Sequence, residues 1–211
     1  MTTIANPAIR RAELVERLTH DDFMRLAPED RKAELIDGEM IMPMPPFDAH
    51  ERLQVFLMTV ISIFVSHFDL GQVRGSRSAV YISEDQTYEP DILFVHKDRA
   101  HIITQAKLVA APDLVVEILS ASTAKYDRGS KLKNYAKAGV RELWLIDPYG
   151  SAGTQFYQRQ GDELVEVASI DGIIHSVALP GFKLEVAWLW PDESDQLPSP
   201  ILVLKKLGVK I

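Results

Sequence analysis

Residues 112–120 read PDLVVEILS, and the fold turns on how this stretch is taken. Leu114 to Leu119 is apolar apart from one carboxylate, Glu117. A short, almost unbroken apolar run rich in β-branched residues predicts a strand covered on both faces, as in the centre of an α/β sheet. Strand side chains alternate, so Asp113, Val115, Glu117 and Leu119 share one face, with Leu114, Val116 and Ile118 on the other. Glu117 then lies between apolar neighbours. A buried carboxylate without a partner costs several kcal/mol or stays neutral, so the chain must supply compensation. A second run of the same kind, EPDILFV at 89–95, opens with Asp91.

Downstream, YDRGSKLKNYAKAG at 126–139 predicts a helix capped by Gly139, and VRELWLIDP at 140–148 returns as a strand. The helix therefore joins two strands as a βαβ crossover. TQFYQR and ELVEVAS predict a closing hairpin through Gln160-Gly161. Upstream, GQVRGSRSAVYIS at 71–83 holds one or two strands. Asp48 to Phe68 predicts a long helix, with Leu53, Phe56, Leu57, Val60, Ile61, Phe64, Val65 and Phe68 on one apolar stripe and Asp48 with Glu51 as a capping box. AELIDGEMIM at 33–42 is a hairpin about Asp37-Gly38, and Thr19 caps a short helix over 20–27. The fold class is α/β, a mixed β-sheet flanked by helices with an N-terminal helix and a β-hairpin. Its 211 residues fit one domain over 1–211, with a core from about 30 to 190 and a tail at 191–211. The tail's SPILVLKKLGVKI suits a docked terminal strand or an oligomer contact.

Composition narrows the setting. Hydrophobic residues make up 46% and charged residues 25%, with a net charge of −7, which argues against a surface devoted wholly to nucleic acid but leaves room for a local basic patch. No cysteine is present, so there is no thiolate metal site and a reducing, cytoplasmic setting is the simplest expectation. Residues 1–18 have no apolar core of the signal-peptide kind, and no run approaches the roughly 20 apolar residues of a membrane span.

Asp91 and Glu117, on strands expected to lie near each other, suit a divalent cation such as Mg²⁺, which takes few protein ligands and keeps much of its water. The ordinary alternative for Asp91, and for Asp113 after Pro112, is a residue at a strand's start bonding nearby backbone N–H groups. His50 lies on the same side of its helix as Leu53 and Leu57, where a packed histidine is the commoner outcome. Lys131 could be a plain i, i+4 partner of Asp127, Tyr135 reads as packing, and Trp144, Trp188 and Trp190 read as core or interface residues. Lys125, Arg128, Lys131, Lys133 and Lys137 concentrate positive charge on and just before one helix, with Arg74 and Arg77 near the Asp91 segment.

These phrases, AELIDGEMIMPMPP with HERL, EPDILFV, APDLVVEILSAST and YDRGSKLKNYAKAGVRELWLIDP, carry a resemblance. In order and over more than half of the chain they resemble the Uma-type restriction-endonuclease family of the PD-(D/E)XK nuclease superfamily. The resemblance implies a restriction-endonuclease-like core and Mg²⁺- or Mn²⁺-dependent endonuclease activity, a phosphodiester hydrolase acting on nucleic acid, DNA before RNA. Asp91 matches the acid of PD, Glu117 the second acid and Glu34 an early glutamate, giving Asp91, Glu117 and Glu34 as metal ligands. The motif's lysine position holds Leu119, and the family's lysine on the following helix matches Lys131, which would orient a water or offset charge on phosphate. His50 is a secondary candidate, and Arg128 and Lys125 are candidate phosphate contacts. A homodimer is a further expectation from the superfamily. The alternative is a catalytically inert nuclease-fold module that binds nucleic acid or protein, its acids serving as structural anchors.

Overall fold

The computed structural model of the protein describes residues 17–211. The reading of the N-terminal segment as lacking a signal-peptide core falls on residues that lie almost wholly outside this range. The chain begins with α1 (His20–Leu26), capped as expected by Thr19, whose hydroxyl and backbone N–H exchange bonds with Asp22. The hairpin β1 (Glu34–Ile36) and β2 (Glu39–Ile41) turns through Asp37 and Gly38, with φ of 52° and 74°. Both central residues at positive φ define the tight turn that an Asp-Gly pair favours.

The long helix α2 (Asp48–His67) follows. The expected capping box is absent: Phe47 is the N-cap residue and makes no side-chain cap. Pro45 and Pro46 precede it, and Phe47 keeps an extended backbone (φ −81°, ψ 163°), so Asp48 is already inside the first turn. The 71–83 stretch resolves into two strands, β3 (Gly71–Gly75) and β4 (Val80–Ser83), which enter different sheets. Next come β5 (Gln86–Tyr88), β6 (Ile92–His96) and β7 (Leu114–Ile118). The crossover consists of α3 (Ala124–Tyr126), a widened π-type turn at Asp127–Lys131 and α4 (Leu132–Ala138), closed by Gly139 at φ 93°. It leads to β8 (Glu142–Ile146), the hairpin β9 (Gln155–Gln160) and β10 (Glu163–Val167), the ribbon β11 (Ile173–His175) and β12 (Lys183–Glu185), and α5 (Pro200–Lys206).

The main sheet has the order β10-β9-β8-β7-β6-β3, and only β7 and β8 run parallel. A second sheet, β2-β1-β5-β4, packs on the crossover side. The alternation expected of β7 holds. Leu114, Val116 and Ile118 join the core formed with α2, while Val115 and Leu119 face Tyr135, Val140 and Tyr88 beneath the crossover and second sheet. No helix among the described residues is long and apolar enough to cross a membrane.

The C-terminal stretch corrects the strand expectation. It forms α5, started by Pro200 at the first helical turn, and Val203, Leu204 and Val209 are buried in the α2 core. Val203 and Leu204 stand four and three residues before Leu207, which packs against the same core, and this helical spacing places the three together. Leu204→Ala should therefore cost about 2–5 kcal/mol in urea unfolding. A change within error of zero would mean that the terminus is not part of the core.

Candidate active site

Asp91 directly precedes β6 and stands beside the carboxyl end of β7, because Ile92 pairs with Val116. Its Oδ2 accepts the backbone N–H of Ile118 at 2.8 Å, which ties the start of one strand to the end of the next. Asp91 thus does bond a backbone N–H, as the structural alternative expected. It also meets two basic side chains: Lys32 Nζ at 2.9 Å from Oδ1 and His50 Nε2 at 3.3 Å from Oδ2. Burial pushes its carboxyl up, but Lys32 and His50 outweigh that and hold it well below the usual carboxylate range.

Glu117 projects from β7 toward the crossover. Its Oε1 lies 2.7 Å from Lys131 Nζ and accepts the Tyr135 hydroxyl at 2.8 Å. Asp127, Lys131 and Tyr135 recur at i, i+4 and i+8, so one side of the crossover carries all three against the sheet. Lys131 and Asp127 are buried, at 1% and 2% exposure, and 2.9 Å apart; this is not the exposed pair that spacing alone suggests. Tyr135 is likewise more than packing, since its hydroxyl is spent on Glu117. Glu34, from β1, presents Oε1 and Oε2 to Lys131 Nζ at 3.0 and 3.2 Å and accepts the Glu89 N–H at 2.9 Å.

The electrostatics follow from a count. Four buried carboxyl groups, Glu34, Asp91, Glu117 and Asp127, share two lysines, Lys32 and Lys131. Burial pushes Glu117 up to about 8 despite Lys131, and Asp127 and Glu34 add to the rise. Burial works against the Lys131 charge, but Asp127, Glu117 and Glu34 hold its pKa well above the ordinary lysine value.

Asp91, Glu117, Lys131, Glu34 and His50 all line one pocket of about 140 Å³, together with Lys32, Gln54, Ser76, Ser120 and Thr123. The loop before α2 forms its rim, where Met44 is 73% exposed. A larger cavity of about 590 Å³ lies across the first turns of α2, between Arg52, Tyr149 and Trp190, and contains none of the candidate acids. The Glu34 carboxylate is bonded by Lys131 and by the Glu89 N–H and stands in one ion cluster with Glu117 and Asp127. Among the described residues no group of three His, Asp or Glu side chains is spaced to hold a metal ion. Arg128 and Lys125 lie outside the pocket. The Arg128 guanidinium is held by Gly153 O at 2.6 Å and by Gln155, while Lys125 is exposed beside the Tyr126 ring.

Sequence reasoning missed Lys32, Tyr135 and Asp127. Asp127 and Tyr135 carried a signal, since both lie four residues from Lys131. Lys32 carried a fainter one: it is two residues before Glu34 and therefore on its side of an extended chain.

A mixed sheet with buried acids gathered at the carboxyl end of its central strand is the architecture of a nuclease fold. The chain matches the Uma2 family, described as "Putative restriction endonuclease", over residues 20–187, and it belongs to that family. It is 30% identical over 152 residues to the uncharacterized protein slr1290 of Synechocystis sp. (strain ATCC 27184 / PCC 6803 / Kazusa), covering 66% of this chain and 77% of the relative. A second uncharacterized protein of that organism, sll1609, is 26% identical over 133 residues, covering 62% and 74%. The crystal structure of a "putative nuclease belonging to DUF820" from Anabaena variabilis ATCC 29413 superimposes with a TM-score of 0.64 at 21% identity, covering 90% of this chain and 99% of that one.

The raised Glu117 carboxyl has a consequence for stability. A group with a folded-state pKa of about 8 against an ordinary 4.5 favours the fold while protonated. Its contribution is complete below the unfolded value and is lost as pH rises through the folded one. Metal-free protein should therefore lose stability between about pH 4.5 and 8, and Glu117→Gln should flatten that slope in thermal melts. An unchanged slope would refute the assignment.

Proposed function

We propose that this chain is a metal-dependent nuclease that hydrolyses phosphodiester bonds of nucleic acid, DNA foremost, with Asp91 and Glu117 holding Mg²⁺ or Mn²⁺. One observation carries this reading: both acids open onto the same pocket, where buried carboxyls outnumber lysines four to two. That deficit of positive charge, and a Glu117 whose carboxyl is raised by burial and then by Asp127 and Glu34, fit a site built for an added cation. The donor set fits as well. Two carboxylates with water completing the shell suit Mg²⁺, and Glu117 Oε2 accepts no hydrogen bond among the described residues.

When bound, such a cation would polarise a phosphoryl oxygen and lower the pKa of a water. The protein's own groups do the rest. Tyr135 and Lys131 fix Glu117 by its Oε1, and Glu117 lines the pocket. The Ile118 N–H fixes Asp91 in the same way. Glu34 anchors Lys131 and is not itself a ligand in this reading. His50 lines the pocket with its Nδ1 unbonded, so it is available to hold or pass a proton. Lys125, exposed on the crossover outside the pocket, is the freer of the two basic residues for a phosphate contact.

The inert-module reading has its own support, since Asp91 and Glu117 already meet a lysine of the chain. Incubation with single- and double-stranded DNA and RNA in Mg²⁺ or Mn²⁺, beside Asp91→Asn and Glu117→Gln, separates the two. The expected result is metal-dependent cleavage that falls about 100-fold or more in either variant. Absence of cleavage on every substrate, with no metal binding by calorimetry, would sink the enzyme reading in favour of the inert module.

A further inference from the structure

The nuclease reading from sequence places the phosphate-facing charge on Lys131, and the geometry argues otherwise. An ammonium has three N–H donors. Lys131 Nζ donates to both Glu34 oxygens, at 3.0 and 3.2 Å, and is ion-paired with Glu117 and Asp127 at 2.7 and 2.9 Å, and the residue is 1% exposed. To reach a phosphate it would have to leave a buried carboxylate uncompensated, which is a large loss.

Lys32 is placed differently. Its side chain is 23% exposed and meets one carboxylate, Asp91 Oδ1, at 2.9 Å, which leaves two N–H donors for a ligand. It lines the pocket, where the other lysine is Lys131. The strand geometry that aims Glu34 at Lys131 aims Lys32 to the same side, while Ala33 between them packs against Phe23 and Leu35 on the other. A phosphate entering this pocket meets the acids Glu34, Glu51, Asp91, Glu117 and Asp127 and needs a cation with donors to spare.

We infer that Lys32 is the residue that donates to a non-bridging oxygen of the bound phosphodiester, and that Lys131 is a positioning residue that sets the carboxylates. The inference rests on the nuclease reading for the identity of the ligand. No bond is made or broken by Lys32 itself; it neutralises charge where charge develops.

The test compares Lys32→Gln, which keeps an N–H for Asp91 without the charge, with Lys32→Arg and Lys131→Met. Binding of a fluorescein-labelled oligodeoxynucleotide is measured by anisotropy in Ca²⁺ across a salt series, cleavage in Mn²⁺, and stability by thermal melting. Lys32→Gln should melt below the unaltered protein, because Asp91 loses a neighbouring charge, but above Lys131→Met; its log–log salt slope should shrink by about one, and cleavage should fall about 100-fold. Lys32→Arg should restore the slope, and Lys131→Met should melt well below the others. If Lys32→Gln keeps both the slope and the rate, the inference is overturned while the nuclease reading survives. A protein that never cleaves, but whose slope shrinks in Lys32→Gln, keeps the phosphate contact and loses the nuclease reading. If Lys32→Gln does not fold, Lys32→Arg decides: a slope and rate no better than those of a catalytically dead Asp91→Asn control would overturn the inference.

Discussion

One ammonium group, the Nζ of Lys131, holds together parts of the chain that share no strand pairing. Glu34 reaches it from β1 of the second sheet, Glu117 from β7 of the main sheet and Asp127 from the crossover itself. All four groups are almost fully excluded from water. Replacing such a cluster by apolar side chains would cost little in principle, whereas removing the cation alone strands three carboxylates. The cluster is therefore poor evidence of extra stability and good evidence of specification. It dictates how the second sheet and the crossover meet the central strand, and everything around the pocket takes its position from that meeting.

The second pair, Lys32 with Asp91, follows a different logic. Asp91 is fixed from within by the Ile118 N–H and approached from the solvent side by Lys32 and His50. The pocket thus has a closed inner wall and a polar mouth. Two other buried acids, Glu142 and Asp113, are held by structure away from the pocket. Glu142 accepts the Trp144 indole, the Ser176 hydroxyl and the N–H groups of Val177 and Ala178. Asp113 accepts His96 N–H and faces Arg99 at 3.0 Å. Burial alone does not separate site acids from structural ones; an open side does.

Much of this is legible in the sequence. The apolar run around Glu117, the alternation along β7, the Asp37-Gly38 turn, the Thr19 cap and the stripe of α2 are all local signals, and each appears in the fold. The family motifs led to Asp91, Glu117, Glu34, Lys131 and His50, and the structure gathers these five about one pocket. Failures came where a tertiary contact overrides a local pattern. Phe47 displaced the Asp48 cap because prolines before it set the backbone. The C-terminal stretch is too short for its period to separate strand from helix, and docking on α2 decides it. Lys32 lies 59 residues from Asp91 in sequence, a separation that no local pattern reports.

The alternation of β1 gives the ion cluster a second role, as a register lock. Glu34 points toward Lys131 and Leu35 toward Phe23 and Ala33 beneath α1. A slip of one residue in the pairing of β1 with β5 would exchange these faces, bringing Leu35 toward the ammonium and Glu34 into an apolar nest. Both errors are costly at once. A misregistered second sheet is thus rejected by the same charges that line the pocket, so that a molecule folded well enough to persist is one whose acidic pocket has been assembled correctly.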